Sequence, residues 1–211
     1  MVKFRAWDGN ASWEKVGLDL VGSGEGDLFG RSVAISADGL TVAVGGYRND
    51  QNGADAGEVR VYTWSGGAWI QLGEDIVGDA AGDVLGFQVD LSADGQRLVV
   101  GMHGSALNGT DTGAVRVFEW SGTAWVQLGS NIVGTNPGDE FGHSLSMSKD
   151  GSTIALGSTV ADYVDVFQWN GSVWQQQGQR FTGTYLGSVS TLSLSKDGTV
   201  IALGAAGPDD T

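Results

Sequence analysis

Cysteine is absent from the 211-residue chain, so no disulfide can staple the fold, and thiol chemistry and Cys-based zinc sites are excluded. Basic residues are scarce: 11 Lys and Arg face 25 Asp and Glu, a net charge of −14. A surface that acidic repels phosphate backbones and anionic headgroups, which argues against nucleic acid as a partner. It suits a high-salt milieu, divalent cations or a basic partner, although most surface carboxylates only keep a protein soluble. No apolar run is long enough for insertion across a membrane, and the opening MVKFRAWDGN has no signal-peptide h-region. On that count the chain reads as intracellular, or as a mature or trimmed form that starts at Met1. Only two histidines occur. Neither sits with a nucleophile in a recognisable motif, and no carboxylate pair recurs at a defined spacing, so neither an enzyme nor a cofactor is expected.

What is abundant is glycine, 36 residues against 2 prolines, placed at recurring positions between apolar alternations. That is the pattern of many short strands and turns rather than of disorder. The turn Ser-Ala/Lys-Asp-Gly recurs at Asp38, Asp94, Asp150 and Asp197, at steps of 56, 56 and 47 residues. VRVYTW (59–64) returns as VRVFEW (115–120), as VDVFQW (164–169) and, at the start, as VKFRAW (2–7). In the unit 23–78, strand A is GRSVAIS from Gly30, strand B is TVAVGG, strand C is VRVYTW and strand D is AWIQLGEDIVG. Val33 and Ile35 point one way and Ser32 and Ala34 the other, as the two-residue period of a strand requires. Asp-Gly favours a tight hairpin because its second residue readily takes positive φ.

Four antiparallel strands per repeat make a propeller blade. The expected fold is therefore all-β: a four-bladed β-propeller forming one domain over 1–211. Its units are 23–78, 79–134, 135–178, and a last blade shared between 1–22 and 179–211. That last blade joins N-terminal strands C and D to C-terminal strands A and B, and such closure removes exposed sheet edges. A monomer is favoured. A dimeric ring of eight blades satisfies the same register.

The stretches GDLFGRSVAISADGLTVAVGG (26–46), GDVLGFQVDLSADGQRLVVG (82–101) and GDEFGHSLSMSKDGSTIALG (138–157) resemble FG-GAP repeats. The likeness is to a short variant with a W-x-Q-x-G lead-in, here WIQLG (69–73) and WVQLG (125–129), with WEKVG (13–17) and WQQQG (174–178) as weaker copies. The fourth copy, GTYLGSVSTLSLSKDG, has lost the GD-x-FG corner. The resemblance implies a propeller, and an extracellular or cell-surface setting in which such repeats serve binding and cell adhesion. FG-GAP blades of the integrin type carry an aspartate-rich calcium loop between strands A and B. Here that connection holds one carboxylate where calcium needs six to eight oxygens, so calcium does not carry over to those turns.

The expected function is a non-catalytic interaction module that binds a protein or a carbohydrate through its channel mouth and loops. Where copies differ, function is expected: Arg31, Phe87, His143 and Ser190 at the start of strand A, and Tyr47, His103, Thr159 and Ala206 just after strand B. Arg31, Tyr47, Phe87, His103 and His143 form the expected binding mouth, with Asp90 as a lining acid whose partner would be Arg31 or His143. All eight tryptophans fall in pairs bracketing the C–D hairpins. They read as cross-strand packing, or as glycan shelves of a multivalent lectin, Trp64 with Trp69 and Trp120 with Trp125. A structural role as a subunit in a larger assembly is the other alternative. Asp50, Asn52 and Asp55 lie in an oxygen-rich B–C loop that could hold calcium, although Asx-Gly clusters also form turns without metal. Asn10, Asn108 and Asn170 begin glycosylation acceptor triplets.

Overall fold

The computed structural model of the chain describes residues 1–182 and 189–205. Among them no helix forms, and the strands assemble into five antiparallel sheets. The first sheet is a two-stranded hairpin, β1 (Arg5–Trp7) with β2 (Trp13–Lys15). Next comes a complete blade of β3 (Ser32–Ile35), β4 (Thr41–Gly46), β5 (Glu58–Trp64), β6 (Trp69–Gln71) and β7 (Ile76–Val77). The second complete blade holds β8 (Val89–Leu91), β9 (Arg97–Met102), β10 (Ala114–Trp120), β11 (Trp125–Gln127) and β12 (Ile132–Val133). The third holds β13 (Ser144–Met147), β14 (Thr153–Ser158), β15 (Tyr163–Trp169), β16 (Trp174–Gln176) and β17 (Phe181–Thr182). A final hairpin pairs β18 (Val189–Leu194) with β19 (Ile201–Ala205).

Each A–B hairpin turns where its Asp-Gly stands. Gly39, Gly95, Gly151 and Gly198 take φ near +70 (75, 67, 68 and 69), a region open to a residue without Cβ. In every copy the serine Oγ donates to the aspartate Oδ1 at 2.6 Å, from Ser36, Ser92, Ser148 and Ser195. The GD-x-FG corner is also built by its residue types. Asp83 Oδ2 accepts the N–H groups of Asp79 and Ala80 at 3.0 Å each, and Asp139 Oδ2 does the same for Thr135 and Asn136 at 3.1 and 2.9 Å. The residue after each aspartate is left-handed, and the apolar residue that follows (Phe29, Leu85 or Phe141) is driven into the core.

The expected strand D is split in two. In the first complete blade Trp69–Gln71 pairs with one end of β5 and Ile76–Val77 with the other. Between them Gly73, at φ 81, swings the chain away from the ladder.

The first strands of successive blades lie beside one another, β3 by β8, β8 by β13 and β13 by β18, and so form the inner edge. Neighbouring blades meet small against large. Val89 and Leu91 of β8 pack into Ala34, Ala43, Val59 and Val61 of the preceding blade. Leu145 and Met147 of β13 pack into Val99, Val115 and Val117, and Leu192 and Leu194 of β18 into Ala155, Val164 and Val166. The β1–β2 hairpin covers the outer part of the first complete blade, where Phe4 joins Phe29, Val42, Val44 and Tyr62.

The joint expected between the first and last hairpins is open. The two hairpins form separate sheets among the described residues, so three blades are complete and two are halves. The consequence shows on β3. Val33 and Ile35 are 55% and 58% exposed, whereas the equivalent Val89 and Leu91 are each 6% exposed. Covering a Val or Ile side chain stabilises by about 1.5–3 kcal/mol, so this bare pair marks the place of an absent neighbour.

Candidate functional site

Phe87 is the hub of the divergent positions. It precedes β8, while Arg31 and His143 precede β3 and β13, and Tyr47 and His103 follow β4 and β9. The inner strands converge, and all five residues therefore gather at one end of them. The Phe87 ring centroid lies 4.3 Å from that of His103, 4.6 Å from His143 and 5.2 Å from Tyr47. The two imidazoles are 5.1 Å apart. The Arg31 guanidinium sits 4.9 Å over the Phe87 ring, and Arg48 lies 5.7 Å over Tyr47. The structure thus brings the five expected mouth residues together and adds Arg48, whose place next to Tyr47 was the only sequence signal for it.

The cluster is half-buried apart from the exposed Arg31 and Arg48, and this sets its electrostatics. Burial, and then the neighbouring His143, push His103 down to about 4. Burial and the Arg31 charge also push His143 down. Both rings are neutral at pH 7. Each leaves a buried Nδ1 without a hydrogen-bond partner among the described residues, which is costly unless something supplies one. Aromatic faces, two unmatched imidazole nitrogens and a guanidinium make a surface suited to a flat or carboxylate-bearing group. Of the remaining divergent positions, Thr159 follows β14, while the side chain of Ser190 and all of Ala206 lie outside the described residues.

Asp90 does not belong to this mouth, and neither Arg31 nor His143 is its partner. It sits farther along β8, where the cavity at the opposite end of the inner strands is lined by Ile35, Leu91, Ser146, Met147 and Ser193 as well. Its Oδ2 accepts the Met147 N–H of the next blade at 2.8 Å and its Oδ1 accepts the Leu91 N–H at 2.8 Å. Burial raises its pKa and these donors oppose the rise. The carboxylate ties two blades together.

Three of the four tryptophan pairs are built into the joints between blades, and the fourth, Trp7 with Trp13, is exposed. Their centroids are 5.3–5.8 Å apart across each hairpin. A Cβ on Gly73 would lie 3.0 Å from Trp120 Cζ3, one on Gly129 3.0 Å from Trp169 Cζ3, and one on Gly17 2.7 Å from Trp64 Cζ3. Gly17, Gly73 and Gly129, the last glycines of the first three of these segments, are thus the seats of the following blades' pairs. Trp125 and Trp174 also donate Nε1–H to the Leu72 and Leu128 carbonyls at 2.9 Å. The expected glycan shelves Trp64–Trp69 and Trp120–Trp125 are therefore half-buried under the preceding blade.

The expected calcium loop is a turn. Asp50 Oδ1 accepts the Asp55 N–H at 2.8 Å, and Asn52 Nδ2 donates to the carbonyls of Gly78 and Asp79. No group of three metal-ligating side chains forms among the described residues. Asn10, Asn108 and Asn170 are all exposed.

Residues 22–62 match the FG-GAP repeat family, and no curated protein matches the chain by sequence. Among solved structures it is similar to a functionally unknown protein from Desulfotomaculum acetoxidans DSM 771, at 12% identity and a TM-score of 0.63, over 92% of this chain and 52% of that one. It is also similar to hydrazine synthase of Kuenenia stuttgartiensis (16% identity, TM-score 0.54, 82% of this chain and 55% of that one). A third is the β-propeller domain of Myceliophteria thermophila Cps50 (Swd1), at 8% identity and a TM-score of 0.54, over 82% of this chain and 49% of that one. These likenesses are of fold alone, and the chain spans about half the length of each structure. Residues 22–62 thus carry an FG-GAP repeat, and the corner, the turn and the tryptophan seat that recur from blade to blade build a fold of the β-propeller kind.

Proposed function

We propose that the chain is a non-catalytic interaction module, working at a cell surface or outside the cell, that holds a protein or glycan partner at the Phe87 mouth. One observation carries this: five of the positions at which the repeats differ converge into a single cluster around Phe87, with two imidazole nitrogens unmatched among the described residues. Residues needed only to build a blade would repeat, as the tryptophans and Ser-x-Asp-Gly turns do. The FG-GAP likeness supports the extracellular setting, and the propeller supplies a rigid frame that holds the five side chains in place.

Imidazole-resolved NMR of the histidine-labelled chain tests it, since only two such side chains exist. Titration with benzoate and with a panel of acidic and neutral oligosaccharides should shift His103 and His143 together for at least one of them. Arg31→Ala should weaken a carboxylate ligand, and Phe87→Ala any ligand that stacks. If no probe moves either imidazole at millimolar concentration, the mouth is not a binding site for these classes.

A structural, assembly role is favoured by a different observation, the unfilled faces of the two half-blades. A complete circuit needs strands β18–β19 beside strands β1–β2, within one chain as a four-bladed ring or between chains.

A further inference from the structure

Four kinds of blade-to-blade contact have one copy left unmade on each side among the described residues, and the two sides are complementary. Gly17, Gly73 and Gly129 each seat the tryptophan pair of the next blade. The equivalent Gly178 has no atom within 4 Å of where its Cβ would be, and borders an open groove of ≈ 520 Å³ with Gln177, Arg180, Phe181 and Leu203. The matching knob is the one pair without a seat, Trp7 and Trp13, 50% and 64% exposed. Small Ala34 and Ala43 receive Val89 and Leu91. The equivalent small residues of the last half-blade are Ser193 and Ala202, and the unreceived large pair is Val33 and Ile35.

The inner turns repeat the pattern in the backbone. Ala37 N–H donates to Ala93 O at 2.9 Å, Ala93 N–H to Lys149 O at 2.7 Å, and Lys149 N–H to Lys196 O at 2.9 Å. The next donor in that belt is Lys196 N–H and the next acceptor is Ala37 O. In the complete blades strand B pairs with strand C, yet β19 is a strand B without its C and β1 a strand C without its B.

From these four matched pairs of surfaces we infer that a second copy of this chain fills the joint, so that two copies make a closed ring of eight blades. β19 of each copy lies beside β1 of the other, and Gly178 of each receives Trp7 and Trp13 of the other. The knob and the seat stand apart within one chain although each contact has three intramolecular precedents, which favours a second copy as the occupant. The structural likenesses agree, since 82% of the chain superposes on 49% of a larger β-propeller domain. Charge permits the contact as well. Residues 1–20 hold Lys3, Arg5 and Lys15 against Asp8, Glu14 and Asp19, and residues 189–205 hold Lys196 against Asp197. The edges are thus neutral, while residues 21–182 carry seven cations against nineteen acids. Two identical heterologous joints close on a two-fold axis and leave no free edge.

Sedimentation equilibrium of the 211-residue chain should give twice the chain mass of 21.8 kDa. Trp7→Ala with Trp13→Ala should sediment as a folded single chain, and Val126→Ser, on an exposed central-blade site, should stay at twice the mass. Register equivalence with Thr63 and Thr41 sets Ala6 opposite Val200, and the chain has no cysteine of its own. Mixed after co-refolding and oxidised with diamide, Ala6→Cys and Val200→Cys chains should yield a covalent heterodimer on a non-reducing gel. A wild-type chain at single mass overturns the inference. So does an Ala6→Cys/Val200→Cys chain that cross-links only within itself, the signature of a four-bladed ring, and so do open polymers larger than a dimer.

Discussion

Replacing Gly73 by alanine separates two costs that the structure keeps distinct. Gly73 has φ 81, and an L residue in the left-handed region costs roughly 1–2 kcal/mol. Its new Cβ would also stand 3.0 Å from Trp120 Cζ3 and 3.2 Å from Trp125 Cδ1. Both rings are held, by their cross-strand contact and by the Trp125 bond to the Leu72 carbonyl. Overpacking of that kind adds about 1–3 kcal/mol, for a total of roughly 2–5 kcal/mol. Gly122 is the control: φ is 95, and a Cβ there meets nothing within 4 Å, so Gly122→Ala should cost only the backbone part. The assay is urea unfolding followed by tryptophan fluorescence, comparing midpoints at unchanged slope. If Gly73→Ala and Gly122→Ala lose the same stability, the glycine is not a seat for the tryptophan pair, and the joint between blades is held by other contacts.

Acidification should destabilise the protein through His103. Its folded value of about 4 lies below the unfolded value of 6.5, so the unfolded chain takes up the proton first. This contribution is complete above about pH 6.5 and falls by up to about 3 kcal/mol as the pH drops towards 4; in urea titrations across that window, His103→Phe should flatten the slope, and an unchanged slope would contradict the buried neutral ring. Asp90→Leu should cost about 1–3 kcal/mol, because it strands the Met147 N–H between two blades, whereas Asp90→Asn keeps an acceptor and should cost less; equal losses in thermal melts would show that the interblade bond contributes nothing. Chelation followed by added calcium should leave the melting temperature where it was, since Asp50, Asn52 and Asp55 already serve the turn; a calcium-dependent rise would place a metal there after all.

Much of the blade could be read from the chain because its determinants are local. TVAVGG became β4 and VRVYTW lies within β5, since alternation, Asp-Gly turns and glycine placement all act over a few residues. The mouth was legible for a different reason: repeats that agree elsewhere disagree at Arg31, Phe87 and His143. Asp90 was misplaced because alternation reports the face of a strand and not the end. Three residues of strand separate it from Phe87, about 10 Å at 3.3 Å per residue, enough to move it from the mouth to the far cavity. The tryptophan seats are contacts between Gly73 and Trp120 or Trp125, far apart in sequence, and no spacing rule announces them. Ring closure was read from the half-blades at the two ends of the chain, but strand order does not set the angle between blades. That angle follows from how far Val89 and Leu91 sink into Ala34 and Ala43.

The two ends of the inner strands have different tasks, and the sequence divides accordingly. At one end all four Ser-x-Asp-Gly turns are alike, and their backbones are linked from blade to blade through Ala37, Ala93, Lys149 and Lys196. A side chain changed within that belt must still let the backbone donate and accept in register, which holds the copies similar whatever the protein binds. At the other end the backbone bonds between blades run from Val84 and Leu85 to Asp55 and Ala56 and from Glu140 and Phe141 to Asp111 and Thr112, and beyond them Arg31, Phe87 and His143 replace one another at equivalent positions. Such freedom alone would scatter unlike side chains into solvent. Here they have instead collected around one phenyl ring at 4.3–5.2 Å, and they bury two imidazole nitrogens without satisfying them. Stability does not ask for that arrangement, because burying an unpaired nitrogen costs free energy, and the partner proposed for this mouth would supply the missing hydrogen bonds.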